Sequence, residues 1–284
     1  MSRMVRILII TSLLITITAC SGGKAVIGED IHLKYDNIKV IDINLTEEEY
    51  GIGVDKNQPE LLAQINEFIK EYEASGKFKE ICSHYEGGEP VPVESAERNN
   101  TKDQLIVATT GDFEPFDYNI GDKSYGIDKE YVAALAEYLG KDLVLENINF
   151  DIMFMTVAQH KADICIAGIT INDARKKYVD FSIPYYHAGQ IIVTTDKCDL
   201  FDNVRNAAEV EEVLNNPDNN LTVAVENMTI GHYYCEGNSE FGYTGFPVTT
   251  VPLATLDDCL DELESGGVDM VIGDAAVLKY LIDK

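Results

Sequence analysis

From residue 105 onward, short aliphatic runs alternate with stretches of helical period, and no other feature of the chain restricts its fold as much. Residues 105–109, 143–148 and 164–167 read as strands, with helices over 128–139 and 152–159. The same style continues with strands at 190–195, 221–225, 249–251 and 270–272 and helices at 206–214, 229–235, 256–265 and 275–282. Such alternation predicts an α/β sandwich with a largely parallel sheet, followed by a second α/β unit. No internal repeat links the units closely. Ahead of them, residues 38–43 and 50–54 alternate as strands do, and Gln58-Pro59-Glu60 opens a helix. Its apolar stripe of Leu61, Leu62, Ile65, Phe68, Ile69 and Tyr72 runs to Ser75-Gly76, and a second short helix is predicted over 78–85. Residues 87–103 hold Pro90, Pro92, Asn99 and Asn100 with little apolar periodicity, which predicts an exposed linker.

The first twenty residues read as an export signal: Arg3 and Arg6 precede an apolar run from Ile7 that is too short to span a bilayer comfortably. It ends at Ile17-Thr18-Ala19-Cys20, which resembles a bacterial lipobox. That resemblance implies cleavage before Cys20, lipidation of its thiol, and a body anchored at the outer face of the cytoplasmic membrane or in the periplasm. With 22 Lys and Arg against 49 Asp and Glu, the net charge of −27 repels phosphate backbones, so no nucleic-acid partner is expected. The remaining cysteines, Cys82, Cys165, Cys198, Cys235 and Cys259, show no metal-ligand spacing. Neither metal nor cofactor is expected, and the cysteine pairing stays open.

Residues Ala167-Gly168-Ile169-Thr170-Ile171-Asn172-Asp173-Ala174-Arg175-Lys176-Lys177, followed by Val179-Asp180-Phe181-Ser182-Ile183-Pro184-Tyr185-Tyr186, closely resemble the polar amino-acid binding proteins of ABC importers, the bacterial solute-binding proteins of family 3. The likeness extends to Pro115-Phe116-Asp117-Tyr118, Gly126-Ile127-Asp128, Asn149-Phe150-Asp151, Gly266-Gly267-Val268-Asp269 and Gly273-Asp274. It implies a two-lobed, type II periplasmic-binding-protein fold with paired hinge strands and the ligand between the lobes. The segment order is unusual. Tyr50-Gly51-Ile52-Gly53-Val54, Pro59-Glu60-Leu61-Leu62 and Ser75-Gly76-Lys77 look like the family's closing segment, yet they stand at the front. A circular permutation is therefore expected, with 87–103 as the splice, a span that reaches roughly 60 Å when extended. Lobe 1 would comprise residues 48–190, and lobe 2 would combine 30–46 with 193–284.

A free amino acid buried between lobes needs a cation for its carboxylate and an anion for its ammonium. The resemblance assigns the carboxylate to Arg175, placed in the first turn of a helix capped by Asn172 or Asp173, with the Thr170 hydroxyl and close backbone approach at Gly168. Asp274 receives the ammonium, and Phe113 and Phe150 sandwich the aliphatic part. Asp163 and Asp269, ahead of buried strands, read as structural. Two departures bear on specificity: Met228 stands where relatives have Gly before Thr229, and Thr110 replaces an Asp used for polar or basic side chains. Thr229 still reaches the carboxylate through its hydroxyl in this reading, while Glu226 tunes side-chain preference. A polar or small ligand is expected, with a cationic one open through Glu226 or Asp112.

The implied activity is capture and delivery of an amino acid to a permease by a lipid-anchored monomer, not an enzyme, with rotation at hinge strands near 50–54 and 190–195. Two alternatives share the scaffold: a dehydratase-like enzyme using Glu226 or Asp112 as general acid, and an amino-acid-sensing module.

Overall fold

The computed structural model describes residue 35 and residues 37–284; the export signal, Cys20 and the front of the 30–46 stretch lie outside the described residues. Strands β1 (Ile38–Ile41), β2 (Glu48–Tyr50) and β3 (Gly53–Val54) precede helices α1 (Pro59–Ala74) and α2 (Lys77–Tyr85). Next come β4 (Gln104–Thr109), β5 (Asp112–Phe113), β6 (Asp117–Ile120), β7 (Lys123–Tyr125), α3 (Ile127–Leu139), β8 (Asp142–Asn147), α4 (Phe150–Ala158) and β9 (Ile164–Cys165). After β10 (Asp180–Phe181), β11 (Tyr186–Ala188) and β12 (Gln190–Thr195), the chain forms α5 (Ala207–Leu214), β13 (Thr222–Glu226), α6 (Ile230–Glu236), β14 (Thr249–Leu253), α7 (Leu256–Ser265), β15 (Met270–Asp274) and α8 (Ala275–Asp283).

Two five-stranded sheets organise these elements, one ordered β10-β3-β9-β4-β8 and the other β1-β12-β15-β13-β14. The first is not the largely parallel sheet predicted, and the second is equally mixed. In the first, β4 runs parallel to β8 and β9 while β3 is antiparallel to both β9 and β10. In the second, β13 is parallel to β14 and β15, and β12 is antiparallel to β1 and β15. The antiparallel members come from segments distant in sequence, so local periodicity carried no record of their direction.

Residues 50–54, expected as one strand, divide between two structures. β2 pairs with β11 in a separate two-stranded ribbon, while β3 enters the first sheet. The paired crossover strands therefore lie at Glu48–Tyr50 and Tyr186–Ala188, and Gln190–Thr195 belongs wholly to the second sheet. Helices α1 and α2 pack against α3 through aromatic contacts: Phe68 and Phe78 lie 5.1 and 4.9 Å from the Tyr131 ring. On α1 the buried residues Leu61, Ile65, Phe68 and Ile69 recur at helical spacing, so the stripe read from sequence is the face that meets the core. The 87–103 stretch carries no helix, and it is tied to the first lobe where the Val93 N–H donates to the Ser124 carbonyl and the Ala96 N–H to the Leu143 carbonyl, both at 2.8 Å.

All five cysteines from Cys82 to Cys259 are free thiols. Among the described residues no helix is long and apolar enough to cross a membrane.

Candidate functional site

A cavity of about 650 Å³ lies between the two sheets, and Arg175, Thr170, Asp274, Gly168, Phe113, Phe150, Thr229, Glu226 and Thr110 all line it. Among the described residues its walls hold one guanidinium, Arg175, against the carboxylates of Glu48, Asp112, Asp151, Glu226 and Asp274.

Arg175 does not open the helix expected for it. Residues Arg175–Lys177 form a single 3₁₀ turn, too short for a helix dipole, with the Arg175 N–H donating to Asn172 Oδ1 at 2.9 Å. Only the side chain thus remains as the anion receptor. Arg175 is 5% exposed, and its guanidinium donates through Nη1 to the Thr170 carbonyl at 2.8 Å and lies 5.2, 5.4 and 5.9 Å from the rings of Phe150, Phe154 and Phe241. Among the described residues no carboxylate lies within ion-pair distance of it. Burial lowers its pKa to about 10, with Glu48 opposing the shift, so it stays a cation at neutral pH. A dehydrated fork of N–H donors facing a cavity is a receptor for an anion with paired oxygens.

Around Arg175 the hydroxyls are already engaged. Thr170 Oγ1 donates to Glu48 Oε2 at 2.6 Å, and the other Glu48 oxygen accepts from Thr46 Oγ1 at 2.6 Å and Gln190 Nε2 at 2.9 Å. Gly168 sits at φ +56°, where a Cβ would come 2.4 Å from the Phe113 ring, and its N–H donates to Asp128 Oδ2 at 2.7 Å. Asp128 also accepts from the Tyr185 hydroxyl at 2.8 Å, and burial pushes its carboxyl up to about 8. Thr110 donates its N–H to Asp117 Oδ2 at 2.7 Å, and Asp117 is paired with Lys129 at 2.7 Å, both fully buried.

From the second sheet, β15 ends at Asp274, which caps α8: Oδ1 accepts from Ala276 N–H at 3.0 Å and Val277 N–H at 3.3 Å. The Tyr50 hydroxyl donates to Asp274 Oδ2. Burial pushes the Asp274 carboxyl up to about 7, the tyrosine bond opposing the shift and the Glu48 charge adding to it. Glu226, at the end of β13, is pushed up to about 8 by burial and then by the charges of Asp112 and Asp274. Thr229 caps α6 and donates its hydroxyl to the Glu226 carbonyl at 2.7 Å. Met228 occupies the left-handed region at φ +63°, and its N–H donates to His232 Nδ1 at 3.0 Å. His232 Nε2, 2.7 Å from Glu236, therefore carries the ring proton. The turn that relatives open with Gly has here committed both its Met228 N–H and its Thr229 hydroxyl to internal partners, which removes Thr229 as a hydroxyl donor toward the cavity in this state.

Sequence reasoning missed Glu48, Tyr50 and Gln190 as lining residues. A signal for Glu48 existed: residues two apart on a strand share a face, so an inward Tyr50 carries Glu48 inward with it.

The model of the bacterial extracellular solute-binding proteins, family 3, matches residues 105–230. Over 93 residues the chain is 36% identical to the arginine-binding extracellular protein ArtP of Bacillus subtilis, covering 33% of this chain and 36% of that protein. Over 91 residues it is 38% identical to the cyclohexadienyl dehydratase of Pseudomonas aeruginosa, covering 32% and 34%. These matches span about a third of the length of those curated relatives. Among solved structures, an ancestral arginine-binding protein bound to arginine superposes with a TM-score of 0.52 at 30% identity, covering 63% of this chain and 74% of that one.

Proposed function

The chain belongs to the bacterial extracellular solute-binding proteins of family 3, and from that premise we propose that it captures a free amino acid between its two lobes and delivers it to an ABC importer. The observation that carries this reading is Arg175, a buried residue whose guanidinium has no carboxylate partner among the described residues and which shares one cavity with Asp274. A zwitterion satisfies both: its carboxylate pairs with Arg175 and its ammonium meets Asp274, displacing or sharing the Tyr50 hydroxyl. Phe113 and Phe150 exclude water from the ion pairs and strengthen them. Thr170 and Gly168 shape the carboxylate end, Thr110 belongs to the side-chain end, and the β2–β11 ribbon absorbs the rotation. Lipidation at Cys20 holds the protein outside the cytoplasm as an anchored monomer.

In the same reading lobe 1 spans residues 48–190 and lobe 2 joins 30–46 to 193–284, in permuted order. Three facts support the permutation: β3 lies between β9 and β10, β2 pairs with β11, and the family match begins only at residue 105. A front segment paired between two downstream strands favours a displaced part of the same fold over an added module.

Thermal-shift screening of the purified protein against the common amino acids tests the reading. A ligand at 100 to 1,000 times its Kd stabilises the native state by about 3–4 kcal/mol, raising Tm by about 5–10 °C. Absence of a shift from every α-amino acid refutes it. The dehydratase alternative predicts turnover, so recovery of unchanged ligand after prolonged incubation rejects it, and turnover rejects capture.

The raised carboxyls give a pH signature of opposite sign with and without ligand. Asp274 and Glu226 titrate near 7 and 8 when folded but near 4 when unfolded, so the folded state holds more protons between about pH 4 and 8. The ligand-free protein is therefore expected to gain stability as pH falls from 8 to 5. Amino-acid affinity is expected to weaken over the same range, because the ammonium requires the ionised carboxylate. Denaturation midpoints and binding isotherms at matched pH check both signs.

A further inference from the structure

The charges of the cavity are not balanced by a simple zwitterion. Glu226 and Asp112 line it from opposite sides, Asp112 on the β5 hairpin and Glu226 at the end of β13 in the second sheet. Among the described residues neither side chain has a hydrogen-bond or ion-pair partner. Arg175, the single cation of the lining among the described residues, feels Glu48 foremost among the carboxylates, whereas the charges acting on Glu226 are those of Asp112 and Asp274. The cavity thus has a cationic pole at Arg175 and an acidic pole at Asp112, Glu226 and Asp274. One ammonium on Asp274 leaves the rest of that pole uncompensated, and closing the lobes over unpaired carboxylates costs several kcal/mol.

Space continues beyond the acidic pole. Asp112, Phe113 and Glu226 also line a second cavity of about 430 Å³, whose one cation, Lys284, is paired with Glu114 and whose remaining acid, Asp257, accepts from the Tyr35 hydroxyl at 3.0 Å. Among the described residues no basic side chain of that lining is left to neutralise Glu226.

We propose that the ligand is an α-amino acid with a second positive charge on its side chain, and that this cation lies between the carboxylates of Glu226 and Asp112, which reach it from the two lobes. The proposal rests on the amino-acid reading above and narrows its substrate class. The polar or small ligand expected from sequence, with a cationic one left open through Glu226 or Asp112, narrows to the cationic one because Thr110 is turned to Asp117, while the acid lost at 110 is supplied two residues on. Half-buried Glu226 carries a proton over much of the neutral range, so a bound cation expels that proton as it pairs.

Calorimetric titration with L-arginine, L-lysine, L-citrulline and L-glutamine tests this, citrulline being the neutral isostere of arginine. At least one cationic ligand is expected to bind at least about tenfold more tightly than citrulline, a factor set by one desolvated charge-assisted contact. In Glu226→Gln and in Asp112→Asn that ratio falls toward one. Arginine or lysine binding at pH 7 releases more protons than citrulline binding, read as heat that varies with the ionisation enthalpy of the buffer; Glu226→Gln removes this excess and leaves only the release from Asp274 that every α-amino acid causes. Asp112 is exposed, so its variant folds even where the Glu226 variant does not. Equal or tighter binding of a neutral amino acid, or a ratio that survives both substitutions, overturns the proposal and leaves the amino-acid reading standing. Failure of every α-amino acid to bind overturns both.

Discussion

Arg175→Ala is expected to weaken amino-acid binding by about 10²- to 10³-fold, the cost of leaving a buried ligand carboxylate unpaired. The ligand-free protein is not expected to lose stability in proportion. Arg175 is 5% exposed with no carboxylate partner among the described residues, so removing it also removes a dehydrated charge, at the expense of its bond to the Thr170 carbonyl and its contacts with the Phe150, Phe154 and Phe241 rings. Arg175→Lys separates charge from shape: it keeps the cation but loses the planar fork and the stacking, so binding falls by an intermediate factor. Titration of the three proteins together with their unfolding curves decides the matter. A full affinity in Arg175→Ala refutes the anchor, and a collapse of the fold with lost binding shows the residue to be structural.

How far this site was legible depends on what each residue needs in order to be placed. Arg175, Thr170, Gly168 and Asp274 lie within local motifs, and a motif encodes short-range geometry, so their convergence on one cavity was within reach. Asp163 and Asp269 were set aside for a reason the structure makes plain: each accepts a backbone N–H from a neighbouring strand start, Ile106 at 2.8 Å and Thr222 at 2.7 Å. What escaped was long-range. Glu48 matters because β2 meets β11 and Gln190, more than a hundred residues on, and no local pattern states that pairing. The hairpin of β6 and β7 was missed for another reason. Its strands are short and mostly polar, although the Gly121-Asp122 connection with Gly121 at φ +62° is a turn signal that the sequence did carry. The Arg175 helix was overextended because Asn172 and Asp173 are good caps for a helix that Tyr178 and Val179 do not continue: Val179 turns inward to the core, and the chain enters β10.

The largest expected loss of stability lies one layer behind the ligand, at Lys129. Both Lys129 and Asp117 are fully buried and lie 2.7 Å apart, and Lys129 Nζ also donates to the Tyr118 carbonyl at 3.2 Å and Asn119 Oδ1 at 3.0 Å. Burial already raises the Asp117 carboxyl above its usual range, and Lys129 is the leading influence pulling it back. Lys129→Met removes that counter-charge and leaves a carboxylate with no water to solvate it, at a cost of about 3–5 kcal/mol. The remedy for the protein is to protonate Asp117, whose folded pKa then stands further above its unfolded value near 4. Destabilisation by Lys129→Met is therefore expected to be greatest at alkaline pH and to shrink as pH falls, since the folded state binds the additional proton. The double variant Lys129→Met with Asp117→Asn recovers much of the loss, because no unpaired charge remains. Ligand affinity follows stability only in part: Asp117 holds Thr109 through its hydroxyl and Thr110 through its N–H, and Thr110 lines the cavity, so a carboxyl that gains a proton loosens that wall. Urea unfolding of the wild type and both variants at pH 6 and 8 measures this. A loss below about 1 kcal/mol at pH 8, or one that grows on acidification, is incompatible with a buried pair that positions the cavity wall.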